Sequence, residues 1–355
     1  MSFISNNKMI SEISKVELIK AHIYYWKNFF QMILNVSRTY SNYFIVLKKV
    51  LGGEFPVELI MRNGRRVSIH TFNAMYVLTF TRNSREVYCD VENDLVNIST
   101  KMLPENQIIF HGGVNNGDLV HGFLQEDYGK LPIKNKTIID IGSNIGDTPI
   151  YFALHGARKV IGLEPFPKNY ELLNKNITEN NLSDKIITLL AGCSSKKGTI
   201  TINPDYESNH ESKLIEFEHG KQIPLMTLED ILKQYNVPDE SILKMDCEGC
   251  ENDIILSATK EMLQKFSHMQ IEYHIGYRTL KEKLEVCGFS VSITGPVAID
   301  VLHTLLQSIQ RIFSIFNFNK KKNVTIINNT DNIHHIKNHK IGYTGFIYAS
   351  KITEL

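Results

Sequence analysis

T-I-I-D-I-G-S-N-I-G-D, residues 137–147, is a short apolar run interrupted by one acid and closed by two glycines. Ile138, Ile139 and Ile141 around Asp140 read as a strand buried on both faces, and Gly142 and Gly146 then open a loop into a helix. Glycines let backbone approach a ligand closely. A helix N-terminus presents unpaired N–H groups and a partial positive charge to an anionic group. That combination suits either a dinucleotide pyrophosphate or the carboxylate end of S-adenosyl-L-methionine. Spacing separates the two: a dinucleotide loop wants G-x-G-x-x-G, whereas Ser143 and Asn144 follow Gly142 and no glycine returns before Gly146. The methyl donor is the better fit.

Downstream, Lys159–Leu163 predicts a second buried strand ending at Glu164. Nucleoside-binding doubly wound folds hold ribose hydroxyls at this position, and a carboxylate can accept from both hydroxyls at once. Ile186–Leu190 reads as a third strand, followed by Ala191-Gly192-Cys193-Ser194, small groups that suit either an adenine edge or a tight turn. The fourth strand lies in Ile242–Glu251, I-L-K-M-D-C-E-G-C-E, which ends in Asp246 and carries Glu248 and Glu251 on a turn at Gly249. Acids so close repel one another unless a sulfonium, a lysine such as Lys244, or a metal lies between them. Met269–Tyr273 is the fifth strand, and Glu272 and His274 mark its carboxyl end, where open α/β sheets place functional groups. A histidine there is poised by its ordinary pKa to accept a proton near neutrality, and either His274 or Asp246 is the expected general base. Asp246, Glu272 and His274 also form a ligand set compatible with a divalent cation.

Composition bounds the partners. The 355 residues carry 39 Lys and Arg against 38 Asp and Glu, a formal net charge of +1, so no global attraction to nucleic acid or membrane is implied. Five scattered cysteines and an N-terminus without a secretion-signal pattern predict a reducing cytoplasm. No apolar run approaches the roughly 20 residues needed to span a bilayer. Glu12 to Leu51 has helical apolar spacing with a basic bias from Lys15, Lys20, Lys27, Arg38, Lys48 and Lys49, which predicts helices packed on the core, or a face for a membrane surface or substrate. Phe55–Gly129 reads as a small β-rich appendage, with a hairpin at Asn63-Gly64. Asp205–Glu218 is polar and reads as a mobile loop.

Residues 137–290 resemble the FkbM-type methyltransferases. The resemblance rests on D-I-G-S-N-I-G (Asp140–Gly146), L-E-P (Leu163–Pro165), K-M-D-C-E-G-C-E (Lys244–Glu251) and E-Y-H (Glu272–His274), the third being the most specific. It implies a class I Rossmann-like α/β sheet, mostly parallel, with seven strands and an antiparallel terminal hairpin. The N-terminal helical and β-rich accessory region would occupy residues 1–130, and the catalytic domain 131–355. The implied cofactor is S-adenosyl-L-methionine, with Asp140, Gly142, Ser143, Asn144 and Gly146 on its amino-acid side, Glu164 on its ribose and Ser194 near the base. Asp246, Glu248 and His274 would face the acceptor, a hydroxyl on a sugar, a glycan, a lipid-linked sugar or a specialised metabolite. No resident metal is implied.

The last two strands, around Val291 and Gly345–Lys351, are separated by an insertion at about 298–340. Its apolar stripe Val301, Leu302, Leu305, Leu306, Ile309, Ile312, Phe313 and Phe316 is followed by Lys320–Lys322. This pattern suits a core or dimer-interface helix, a lid, or a foot on a membrane. Cys247 and Cys250 have no second pair, and a metal or redox role gives way to coincidence; His334, His335 and His339 read as solvated loop residues. Two competing classes are a nicotinamide-dependent oxidoreductase, which the missing third glycine disfavours, and a non-catalytic nucleoside-binding protein. Nucleic-acid methylation is disfavoured by the lack of an N/D-P-P-Y-type motif after the fourth strand.

Overall fold

A computed structural model describes residues 12–103, 105, 107–204, 217–299 and 342–352. Helices α1 (Lys15–Thr39) and α2 (Tyr43–Leu51) come first. The hairpin β1 (Val57–Ile60) and β2 (Arg66–Ile69), helix α3 (Phe72–Thr81) and the antiparallel meander β3 (Val87–Asp90), β4 (Leu95–Ser99), β5 (Gln107–His111) follow. Next come β6 (Thr137–Ile141), α4 (Asp147–Leu154), β7 (Lys159–Leu163), α5 (Pro167–Glu179), β8 (Ile186–Leu189), β9 (Gly192–Cys193), β10 (Gly198–Ile202) and β11 (Lys221–Met226). The remaining elements are α6 (Leu228–Gln234), β12 (Ser241–Met245), α7 (Glu251–Ser257), α8 (Lys260–Leu263), β13 (Phe266–Tyr273), α9 (Arg278–Val286), β14 (Phe289–Ile293), β15 (Val297–Ile299) and β16 (Gly342–Lys351). Most of the polar stretch 205–218, the apolar stripe of the insertion and His334, His335 and His339 lie outside the described residues.

The apolar runs became the middle of one sheet. Every residue of β6 and of β12 is buried, as strands covered on both faces must be. The strand order is β14-β16-β13-β12-β6-β7-β8, parallel from β13 to β8, with β16 inserted antiparallel between β13 and β14. This is the class I methyltransferase arrangement that the resemblance implies. Strand order reverses between β6 and β12, so the crevice at their carboxyl ends is where such sheets place ligands.

Two local readings change. Phe72–Thr81 lies within the stretch taken as β-rich and is helical. Its buried Ala74, Met75, Val77, Leu78, Thr79 and Thr81 leave no polar stripe for periodicity to detect. The usable signal was Thr71, whose Oγ1 accepts from the Ala74 N–H as an N-cap. Cys193 lies in β9, which pairs with β11 in a small three-stranded sheet and not in a simple turn.

The N-terminal elements share a core with one face of the large sheet: Val46, Leu59, Met75 and Phe110 belong to the same buried cluster as Ile138, Phe152 and Val160. Two asparagines on α5 fasten the meander to it. Asn176 Oδ1 accepts from the His111 N–H at 2.8 Å, and its Nδ2 donates to the carbonyls of His111 and Ile145. One turn on, Asn180 Oδ1 accepts from the Ile109 N–H at 2.9 Å while its Nδ2 donates to the Ile109 carbonyl at 2.7 Å. The two amides thus supply β5 with the pairing that a further strand would give. Asn176→Ala would strand buried polar groups and should cost about 2–4 kcal/mol in urea unfolding. A change below about 0.5 kcal/mol would show that the amide ladder does not hold the meander.

Candidate active site

Register places the charges. Lys244 of β12 pairs with Asp140 of β6, and its Nζ lies 3.1 Å from Asp140 Oδ1 while donating to the Gly142 carbonyl at 2.7 Å. Asp140 Oδ2 accepts from Ser143 Oγ at 3.0 Å and Thr148 Oγ1 at 2.5 Å. Burial opposes the Lys244 charge, but Asp140, Asp246 and Asp147 outweigh it and hold the ammonium above its ordinary range. Asp140 and Ser143 are wholly buried, so they brace the loop from beneath instead of lining an open donor site.

The loop amides are also spent internally. Gly142 and Ser143 donate to the Leu163 carbonyl at 3.1 and 3.0 Å, Asn144 to Glu164 Oε2 at 2.9 Å, and Gly146 to the Ser143 carbonyl at 2.8 Å. These four amides are thus engaged within the protein. Gly142 is required for another reason. Its φ is 84°, and a Cβ there would overlap the Asp246 carbonyl oxygen, so glycine lets the ends of β6 and β12 come together. Gly146, at φ 98°, starts α4.

Glu164 sits beside this loop, with Oε2 on the Asn144 amide and Oε1 accepting from the Phe166 N–H at 3.0 Å. Each oxygen keeps a further lone pair. Loss of solvent pushes this carboxyl up to about 8, against those two bonds and Lys244. The side chain of Asn144 donates to Asp118 Oδ2 at 2.8 Å and accepts from Asn169 at 2.7 Å. Asp147, the first residue of α4, is buried, and its Oδ1 has no hydrogen-bond partner among the described residues. Burial, then the Asp118 charge, raises its carboxyl well above the usual range. Ser194 stands apart: its N–H donates to the Met226 carbonyl, its Oγ accepts from the Lys196 amide at 3.5 Å, and no hydrogen bond among the described residues joins it to the loop.

Four carboxylates, Asp246 among them, converge on one imidazole. His274 Nε2 lies 3.4 Å from Glu248, 3.9 Å from Glu272 and 4.0 Å from Asp246, and Nδ1 is 3.2 Å from Glu251 Oε1. Glu251 is fixed by the Cys247 N–H at 2.9 Å, and Glu272 by Thr344 Oγ1 at 2.7 Å. Glu248 reaches the cluster from a left-handed backbone at φ 57°, a strained conformation of the kind that collects at functional sites. Burial opposes the His274 charge, but the Glu251 hydrogen bond and the charges of Glu251, Glu248 and Asp246 win, lifting it to about 10. Held charged by these acids, His274 is the poorer proton acceptor of the two candidates, itself and Asp246. Loss of solvent raises Asp246, against Lys244 and His274, and lifts Glu248 to about 8. Donor atoms of Asp246, Glu248 and His274 lie within 4.8 Å of one another, close enough for a divalent cation to bridge.

Cys247 and Cys250 are joined in a disulfide across the turn that carries Glu248; Cys89, Cys193 and Cys287 are free and buried. Asp118 and Asp147 were passed over in the sequence. An acid in the first turn of a helix reads as ordinary capping, and nothing local marks Asp118.

Residues 140–291 match the family profile described as Methyltransferase FkbM domain. A protein of Sulfolobus islandicus rod-shaped virus 1, named Uncharacterized protein 158B, is 30% identical over 148 residues, covering 41% of this chain and 66% of its own length. Methyltransferase sdnD of Sordaria araneosa is 26% identical, with 41% and 69% covered, and Hexuronic acid methyltransferase AglP of Haloferax volcanii is 26% identical, with 39% and 55% covered. The chain spans about two thirds of the first two relatives and about half of the third.

Gly142→Ala should destabilise the fold by about 1–3 kcal/mol or prevent folding, whereas Gly198→Ala, with open space around its Cβ position, should be near neutral. Equal stability of the two variants would overturn the close approach. A histidine raised from 6.5 to about 10 stabilises the folded state fully below pH 6.5, and this contribution is lost as pH rises through 10. The melting-temperature advantage of the wild type over His274→Gln should therefore be largest near pH 6 and shrink toward pH 10. A gap independent of pH would contradict the charged state.

Proposed function

We propose that this chain, whose residues 140–291 belong to the FkbM methyltransferase family, transfers a methyl group from S-adenosyl-L-methionine to a hydroxyl oxygen of a sugar, glycan or specialised metabolite. The catalytic unit would be residues 131–355, with 1–130 as an accessory region. The observation that carries this reading is the acid cluster at the ends of β12 and β13, set across from Glu164 and the loop after β6. The residues suit the donor. Glu164 retains lone pairs for paired ribose hydroxyls, and the unpartnered Asp147 oxygen beside Asp118 suits an α-ammonium. Gly142, Asn144 and Gly146 shape the wall between them, and Ser194, beyond β8, is the candidate for the base.

When bound, the donor supplies an electrophilic methyl whose carbon–sulfur bond breaks as the bond to the acceptor oxygen forms. The chain's own work is to hold the hydroxyl in line and take its proton. Asp246 is the proposed acceptor of that proton, since its raised pKa makes it a better base than an ordinary carboxylate. Glu248 and Glu272 are set to hydrogen-bond neighbouring hydroxyls, and the His274 imidazolium offsets negative charge in the cluster. The kinship with a protein named as a hexuronic acid methyltransferase supports a sugar, at 26% identity. A divalent cation held by Asp246, Glu248 and His274 is the second reading, favoured by their spacing.

Titration should show saturable binding of S-adenosyl-L-methionine and none of NAD. Glu164→Ala should weaken donor binding about tenfold or more, while Asp246→Asn should bind donor normally and lose about 10²–10⁴-fold in turnover on an acceptor found with labelled donor. Wild-type turnover in Asp246→Asn would remove the base assignment. Turnover abolished by EDTA and restored by magnesium or manganese would favour the cation.

A further inference from the structure

Helix α1 has two unlike faces. On one, Ala21 and Tyr25 pack against Ala298 and Tyr343, and His22 Nε2 lies 3.0 Å from the Tyr343 hydroxyl. On the other, Val16, Ile19, Ile23, Phe30 and Leu34 recur at helical spacing and stand in solvent, between 48% and 64% exposed, and Phe44 of the neighbouring α2 is 73% exposed. Scattered exposed apolar residues are ordinary, but a continuous row along a 25-residue helix is not.

The charges beside the row are of one sign. Lys20, Lys27 and Arg38 fall along its edge by helical geometry, and residues 15–51 hold six bases, with Glu17 the single acid. Glu17 is already engaged by Ser14, Tyr277 and Arg278. We propose that this face of α1, with Phe44, docks on the surface of a bilayer containing anionic lipids: the apolar row enters the acyl boundary while Lys20, Lys27 and Arg38 meet headgroup phosphates. No helix of the described residues is long and apolar enough to cross a membrane, so the contact lies in the plane of the surface.

Charge selects this occupant over two others. A second copy joined through the same face would set like-charged edges against each other. Residues 301–340 of the chain itself are also basic, with Asp331 their single acid, and bring no complementary charge. The docking stands independently of the methyl-transfer reading.

The test is co-sedimentation of the full chain with vesicles of phosphatidylcholine alone or mixed with phosphatidylglycerol, at low and high salt. The chain should pellet with the anionic vesicles at low salt and be released by high salt. The double variants Lys20→Glu with Lys27→Glu, and Ile23→Asp with Phe30→Asp, should each weaken pelleting about tenfold or more while keeping the wild-type melting temperature, because the replaced side chains are exposed. Absence of pelleting with anionic vesicles, or equal pelleting with both lipids at all salts, overturns the proposal. So does a wild-type dimer that Ile23→Asp with Phe30→Asp makes monomeric, or a fall in the melting temperature of that variant as a monomer. Those two results would assign the face to a second copy and to the chain's own residues, respectively.

Discussion

The Lys244 ammonium touches Asp140 and the Gly142 carbonyl at once, and both it and Asp140 are sealed from water. Everything around the crevice depends on that arrangement. A slip of one residue between β6 and β12 would turn Lys244 to the opposite face and leave Asp140 buried without a counter-charge. The pair therefore specifies register as much as it stabilises. Register in turn brings Asp246 over Gly142, where only a residue without a Cβ can lie. Loop, strand end and acid cluster are thus consequences of one buried contact.

The same contact explains why the loop amides are engaged within the protein. With Asp140 held below by Lys244, Ser143 and Thr148, the loop is drawn back over β7, and its first two N–H groups share the Leu163 carbonyl. The glycines serve close approach of two strand ends. Glu164 beside the loop is fixed by the Asn144 and Phe166 amides, one on each oxygen.

Much of this was legible in the chain because buried parallel strands write themselves as unbroken apolar runs. Ile138–Ile141, Lys159–Leu163, Ile242–Met245 and Met269–Tyr273 were placed, and with them the acids at their ends. What escaped was information carried by convergence. Phe72–Thr81 is apolar all round and shows no helical period. Nothing local in the sequence marks Asn176 and Asn180, which complete the edge of β5. Asp118 and Asp147 gain their meaning only when Asn144 and α4 bring them under the loop.

His274 is the sharpest instance. Read alone, its ordinary pKa makes it the natural proton acceptor; surrounded by Glu251, Glu248, Asp246 and Glu272 it holds its own proton to about 10. In this setting it supplies positive charge to the cluster. A site with this many carboxylates would resist closing without a cation at its centre, and Glu251, held by the Cys247 amide, orients the ring so that Nε2 points at the other three. The disulfide from Cys247 to Cys250 closes the turn on which that amide and Glu248 sit. The His274 and Lys244 charges thus oppose the rise that loss of solvent gives the Asp246 carboxyl.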